Sequence, residues 1–136
     1  SDANPAGNVF GGAILKHIDM VAGIVAQRFS QTNAVTVSMD KISFLKPVFV
    51  GNVLFVKARV NYVQKSSMEI EVNVEAEDIA KGTRVHTGNA YVTFVALDEN
   101  GKPTTVPTLR IDNPEDQKRF DEGKLRMERR LKEREK

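Results

Sequence analysis

Residues 11–30 read GGAILKHIDMVAGIVAQRFS, and this stretch decides the fold. Apolar side chains recur at Ile14, Leu15, Ile18, Val21, Ala22, Val25, Ala26 and Phe29, the three-and-four spacing of a helix with one wide buried stripe. The turn formers and Gly pair of residues 4–12, NPAGNVFGG, put its start near Gly12, and the polar cluster at residues 30–33 ends it. A helix apolar over so much of its circumference needs cover on several sides. One small curved sheet covers only one of them, so a second copy of the chain is expected against it.

After the helix the period changes. Residues 34–45, 53–64, 68–79 and 84–97 read as strands, each bounded by Gly, Pro, Ser or Asn. In the third, Met68, Ile70, Val72, Val74 and Ala76 share one face, while Glu69, Glu71, Asn73, Glu75 and Glu77 share the other, which predicts a sheet with one wet face. The fourth, with AYVTFVAL at residues 90–97, is apolar on both faces and is expected at the centre or against a partner. In the first, the apolar phase moves from Val35, Val37 and Met39 to Ile42 and Phe44, which predicts a bulge. Tight connections at residues 64–67 and 80–83 join antiparallel neighbours, so the sheet is expected to be a meander. The class is α+β: a long central helix wrapped by a curved antiparallel sheet.

The 136 residues suffice for one domain and one core. With no Cys in the chain, disulfides, thiolate metal sites and a Cys nucleophile are excluded. No apolar run approaches the ~20 residues of a membrane span, and no leader pattern opens the sequence, so a cytoplasmic protein that neither enters a membrane nor binds nucleic acid is expected. The net charge of +2 arises entirely after residue 109: residues 1–109 carry ten basic and ten acidic side chains, residues 110–136 ten and eight. That mixture describes a solvated helical tail better than a nucleic-acid arm. The reading is a domain over residues 1–109 and a charged tail over 110–136, with few apolar residues, that packs on a neighbour or frays.

Asp19 is the residue that composition does not explain, because it interrupts the apolar helix between Ile18 and Met20. Burial there raises the pKa of a carboxylate and makes it a general base or a nucleophile where a substrate reaches it. The alternative is an aspartate at the stripe's edge, paired with a neighbouring donor. Gly11 and Gly12 stand where the loop enters the helix; their amides lack intrahelical partners and make either an oxyanion hole or a simple close-packing entry. Asn4 precedes a Pro and is a polariser of a carbonyl or only a turn former. His17, two residues from Asp19, points elsewhere on the helix, and His86 has no companion at metal-ligand spacing, so no metal site is read here.

Together these segments resemble the acyl-CoA hydrolase branch of the hot-dog superfamily, the cytosolic or brain-type hydrolases and their single-domain bacterial relatives. Four motifs carry the resemblance: DANPAGNVFGGAILKHID at residues 2–19, FLKPVFVGNVL at 44–54, KSSMEIEV at 65–72 and, more weakly, VTFVALDENGKP at 92–103. It implies a hot-dog thioesterase cleaving fatty acyl-CoA, with Asp19 as base or nucleophile and Asn4 supplied by the partner subunit. It implies Gly11 and Gly12 as the oxyanion donors and Lys65, Ser66 and Ser67 as contacts of the CoA moiety. It also implies a homo-oligomer, at least a dimer and by likeness a trimer of dimers, with no metal or redox cofactor, coenzyme A being part of the substrate. Relatives carry a strand before the Asn motif where this sequence begins inside it; only if the protein itself lacks that strand is an edge of the sheet expected to be open. Two other readings are an enoyl-thioester hydratase, which lacks a suitably placed His, and a non-catalytic acyl-CoA-binding module in which Asp19 is structural.

Overall fold

The computed structural model describes residues 11–44 and 46–134. Helix α1 spans Gly11–Ser30, strands β1 to β4 span Asn33–Phe44, Val53–Gln64, Ser67–Asp78 and Thr83–Leu97, and helix α2 spans Pro114–Arg134. Each element read from the sequence is present, with its ends shifted by at most about two residues.

The sheet is antiparallel throughout, in the order β1-β4-β3-β2. The meander expected from the sequence therefore holds only for β2, β3 and β4, and β1 does not pair with β2. The two hairpin turns are short and force neighbours together: Lys65 takes a positive φ of 53° in the first, and Gly82 a φ of 68° in the second. Residues 45–52 between β1 and β2 face no such constraint. Eight residues reach about 26 Å, whereas three strand spacings need only about 14 Å. The connection crosses to the far edge and tucks Val48 into the core on its way.

Helix α1 lies on the inner face. Ile14, Ile18, Ala22 and Ala26, one turn apart, are buried against Met68, Ile70, Val72, Val74, Val92 and Phe94. The two alanines and Gly23 let the helix approach closely; a Cβ on Gly23 would rest 3.7 Å from the Phe94 ring. Each fully buried Ile, Val or Met here contributes about 2 kcal/mol. The apolar β4 is central, as its two-sided pattern requires, and β1 is an edge. The register of β1 against β4 shifts between Thr36 and Ser38 and again between Asp40 and Ser43, where the phase change had placed a bulge.

The expectation of a wet outer face is corrected in part. Glu69 is only 4% exposed, because α2 lies across that face. Phe120 meets Tyr62 edge-on at 4.8 Å, Gly123 sits against Tyr62, and Arg126 binds Glu69 with both arms of its guanidinium, at 2.9 and 2.7 Å. Farther along the helix, Arg130 reaches Thr93 on β4 and Ser38 and Asp40 on β1. Residues 114–134 form α2, which docks on its own sheet by means of its charges.

Candidate active site

Asp19 stands at the boundary of the α1 stripe, between Ile18, which is 1% exposed, and Met20, which is 57% exposed. It is half-buried, and its Oδ1 accepts a hydrogen bond of 2.8 Å from Thr36 Oγ1 on β1. The contact follows from strand parity: Thr36 pairs with Phe94 and Phe94 with Met68, so Thr36 shares the inner face that the helix covers. Because β1 is an edge of the sheet formed by the described residues, none of them closes over this contact from the outside. Met20 and Ile24 on the helix and Val35 and Val37 on either side of Thr36 are exposed, so a polar pair is set in an open apolar border.

Two of the chain's concavities lie elsewhere. One is lined by Gln31, Thr32 and Asn33 with Leu97, Asp98 and Asn100, and another by Lys46, Pro47 and Phe49 with Thr83 and Val85. Neither reaches Asp19. The carboxylate looks onto a face, and a second surface laid against that face would turn it into a cleft.

Gly11 and Gly12 form the first turn of α1, where helix geometry leaves the amides without intrahelical partners. Gly12 is exposed, with open space where a Cβ would be. Seven residues, close to two full turns, separate Gly12 from Asp19, which puts them on one side of the helix and about 10 Å apart along its axis. Lys65 and Ser66 make the β2–β3 turn, and Ser67 begins β3. Their backbone is anchored: Lys65 O accepts from Val106 N at 2.8 Å and Ser66 O from Ala96 N at 2.9 Å, leaving the Lys65 side chain exposed. Ser67 pairs with Val95, and Val95 with Val35, so this turn stands level with Thr36, two strands away, about 10 Å across the sheet. Asn4 lies outside the described residues. His17 and His86 are both exposed. Thr36 is the residue that the sequence reading missed; its one signal was a hydroxyl within an apolar strand, and the register shift beside it appears only in the structure.

A family model described as the thioesterase superfamily matches residues 6–83, more than half of the chain. The chain belongs to the thioesterase superfamily. Among curated relatives of this thioesterase chain, the rat cytosolic acyl coenzyme A thioester hydrolase is 41% identical over 128 residues, 93% of this chain and 34% of the relative. The chain thus spans about a third of that protein's length. An acyl-CoA hydrolase from Staphylococcus aureus, solved with butyryl coenzyme A, coenzyme A and coenzyme A disulfide, superposes with a TM-score of 0.89 at 35% identity, covering 98% of this chain and 81% of that one. A hexameric thioesterase from Yersinia pestis superposes with a TM-score of 0.72 at 36% identity, covering 79% of this chain and 87% of that one. The thioesterase sheet and helix are those of the hot-dog fold.

Structures of the Staphylococcus enzyme also exist with an Asn, an Asp or a Thr replaced by alanine. There the Asn stands fifteen positions before the Asp and the Thr seventeen after it, the same intervals that separate Asn4, Asp19 and Thr36.

Proposed function

We propose that this chain hydrolyses fatty acyl-CoA to the free acid and coenzyme A, with Asp19 acting on the thioester carbonyl. The observation that carries the reading is the hydrogen bond from Thr36 to Asp19 at an open apolar border. It is supported by the matching intervals of Asn, Asp and Thr in the Staphylococcus enzyme, whose structures hold coenzyme A and its butyryl thioester.

Asp19 either takes a proton from the attacking water or adds to the carbonyl itself. In both routes the carbonyl oxygen gains negative charge, the C–S bond breaks, coenzyme A leaves as the thiolate, and water supplies the new hydroxyl. Amide donors aimed at that oxygen are worth about 3 kcal/mol of barrier each. Gly11 and Gly12 are suited to this role, but their own Asp19 is about 10 Å away along the helix. A site shared between copies resolves the distance: Asn4, Gly11 and Gly12 of one subunit meet Asp19 of another. The place of β1 at the edge of the described sheet and the exposed apolar residues beside it support such pairing, and the hexameric relative is an example of assembly in the family. The acyl chain then runs between helix and sheet, while Lys65, Ser66 and Ser67 receive the CoA moiety, hydroxyls and a compact cation suiting its amides and phosphates.

The test is thiol release from a series of acyl-CoA chain lengths, with Asn4→Ala and Asp19→Asn assayed singly and after subunit exchange. Hydrolysis by the wild type, its loss in Asp19→Asn and partial recovery in the mixture are expected. Absence of hydrolysis at every chain length overturns the activity; no recovery after proven exchange overturns the shared site.

A further inference from the structure

Helix α2 lies beyond the residues matched by the family model, yet one of its side chains reaches the strand that carries Thr36. Arg130 Nη1 lies 2.6 Å from Thr93 Oγ1, 2.9 Å from Ser38 Oγ and 3.1 Å from Asp40 Oδ2, its two protons shared among three acceptors. Ser38 follows the register shift directly after Thr36, and Thr93 is the β4 partner of Ser38. A shift of this kind leaves a residue out of the ladder, so the local course of the strand depends on what holds its side chains. On the outer face that holder is Arg130, whose side chain is 15% exposed and spans both strands at this rung. On the inner face the next residue that points inward before the shift is Thr36, bound to Asp19.

We infer that Arg130 is a positioning residue for the Asp19 site: by tying Ser38 and Asp40 to Thr93 it fixes the bulge in β1, and through the bulge the Thr36 hydroxyl. This role rests on the proposed function of Asp19. The charge of Arg130 answers only Asp40; the N–H bonds of Nη1, held in the guanidinium plane, supply the direction that the two hydroxyls need, which an ammonium reproduces in part. Arg126 does not share the task, since its fork is committed to Glu69 on β3.

The experiment compares wild type, Arg130→Met, Arg130→Lys, Phe120→Leu, Thr36→Ala and the double variant Thr36→Ala/Arg130→Met. Each is assayed for thiol release from acyl-CoA, with amide hydrogen exchange of β1 read on the same samples. Arg130→Met is expected to lower kcat about tenfold, the worth of one hydrogen bond to a charged group, to leave KM unchanged and to speed exchange at residues 36–40. Arg130→Lys restores part of the rate. Phe120→Leu, which loosens the same helix at its other end, keeps kcat. In the Thr36→Ala background, Arg130→Met has no further effect on kcat, because both act through one hydroxyl. Unchanged kcat in Arg130→Met, an equal loss in Phe120→Leu, or additive losses in the double variant overturns the proposal. Should Arg130→Met not fold, Arg130→Lys against wild type carries the same comparison. A wild type that releases no thiol overturns the activity and this role with it, whereas normal β1 exchange in Arg130→Met overturns the clamp alone.

Discussion

Thr36 Oγ1 donates to Asp19 Oδ1 at 2.8 Å and joins the central helix to the edge strand at the point where both are open to a partner. A carboxylate on a helix surface rotates among several rotamers; one short bond from a β-branched side chain, itself stiff about χ1, holds it in one. Asp19→Asn is expected to keep the fold and lower kcat at least about a hundredfold, the worth of a positioned base. Thr36→Ala loses about tenfold and Thr36→Ser recovers most of it, because the donor returns. Steady-state hydrolysis of one acyl-CoA by all three variants reads this out, and a Thr36→Ala enzyme as fast as wild type refutes it.

The Glu69–Arg126 pair is the most buried ion pair named in this fold, its side chains 6% and 13% exposed. Removing one partner strands a desolvated charge. Glu69→Gln or Arg126→Met is expected to destabilise by about 3 kcal/mol, and replacing both with apolar residues of similar volume recovers most of that. Urea unfolding of the two single variants and the double variant measures it; additive losses contradict the account.

Gly123 is present for lack of space. A Cβ there would stand 2.7 Å from Tyr62 Cβ and 3.1 Å from Glu69 Oε1, and the nearer contact is to an atom fixed to the backbone. Alanine in the middle of a helix ordinarily gains about 1 kcal/mol over glycine, but overpacking of this kind costs about 1–3 kcal/mol. Gly123→Ala therefore comes out less stable in thermal unfolding, and a raised Tm argues against the tight α2 contact.

Tyr62 and Tyr91 lie under α2, and both phenols are raised above the ordinary value of 10.0. Burial is the main cause in each; the charge of Glu128 adds to it at Tyr62, and that of Glu71 at Tyr91, where Arg126 works the other way. A folded state that holds the phenol proton more tightly than the unfolded chain keeps its full stability below pH 10 and loses it as pH rises through the folded values. Unfolding measured from about pH 9 to about pH 11 is expected to show that decline. Tyr91→Phe flattens it, and an unchanged slope removes Tyr91 as a contributor.

Much of the site's scaffold was legible before the fold was seen. The stripe from Ile14 to Phe29 dictated a long helix, the alternation in β3 its inner and outer faces, the two-sided apolar run of β4 its central place, and Asp19 stood out against its neighbours. Thr36 did not, because nothing within a turn or a strand of it marks it as a partner of a residue seventeen positions earlier. Nor did α2: Met127 is its one buried large apolar side chain, and a helix that docks through arginines reads as solvated.

By itself, then, the sequence determined the elements, the buried faces of α1 and β3 toward each other and the family motifs, since each is written in residues near one another and obeys a local period. Tertiary structure decided the strand order, which sets β1 beside β4, presents Thr36 to Asp19 and lets Arg130 reach Ser38 across ninety-two positions. Those pairings depend on chain crossing and on desolvated polar contacts, neither of which leaves a periodic trace in the chain.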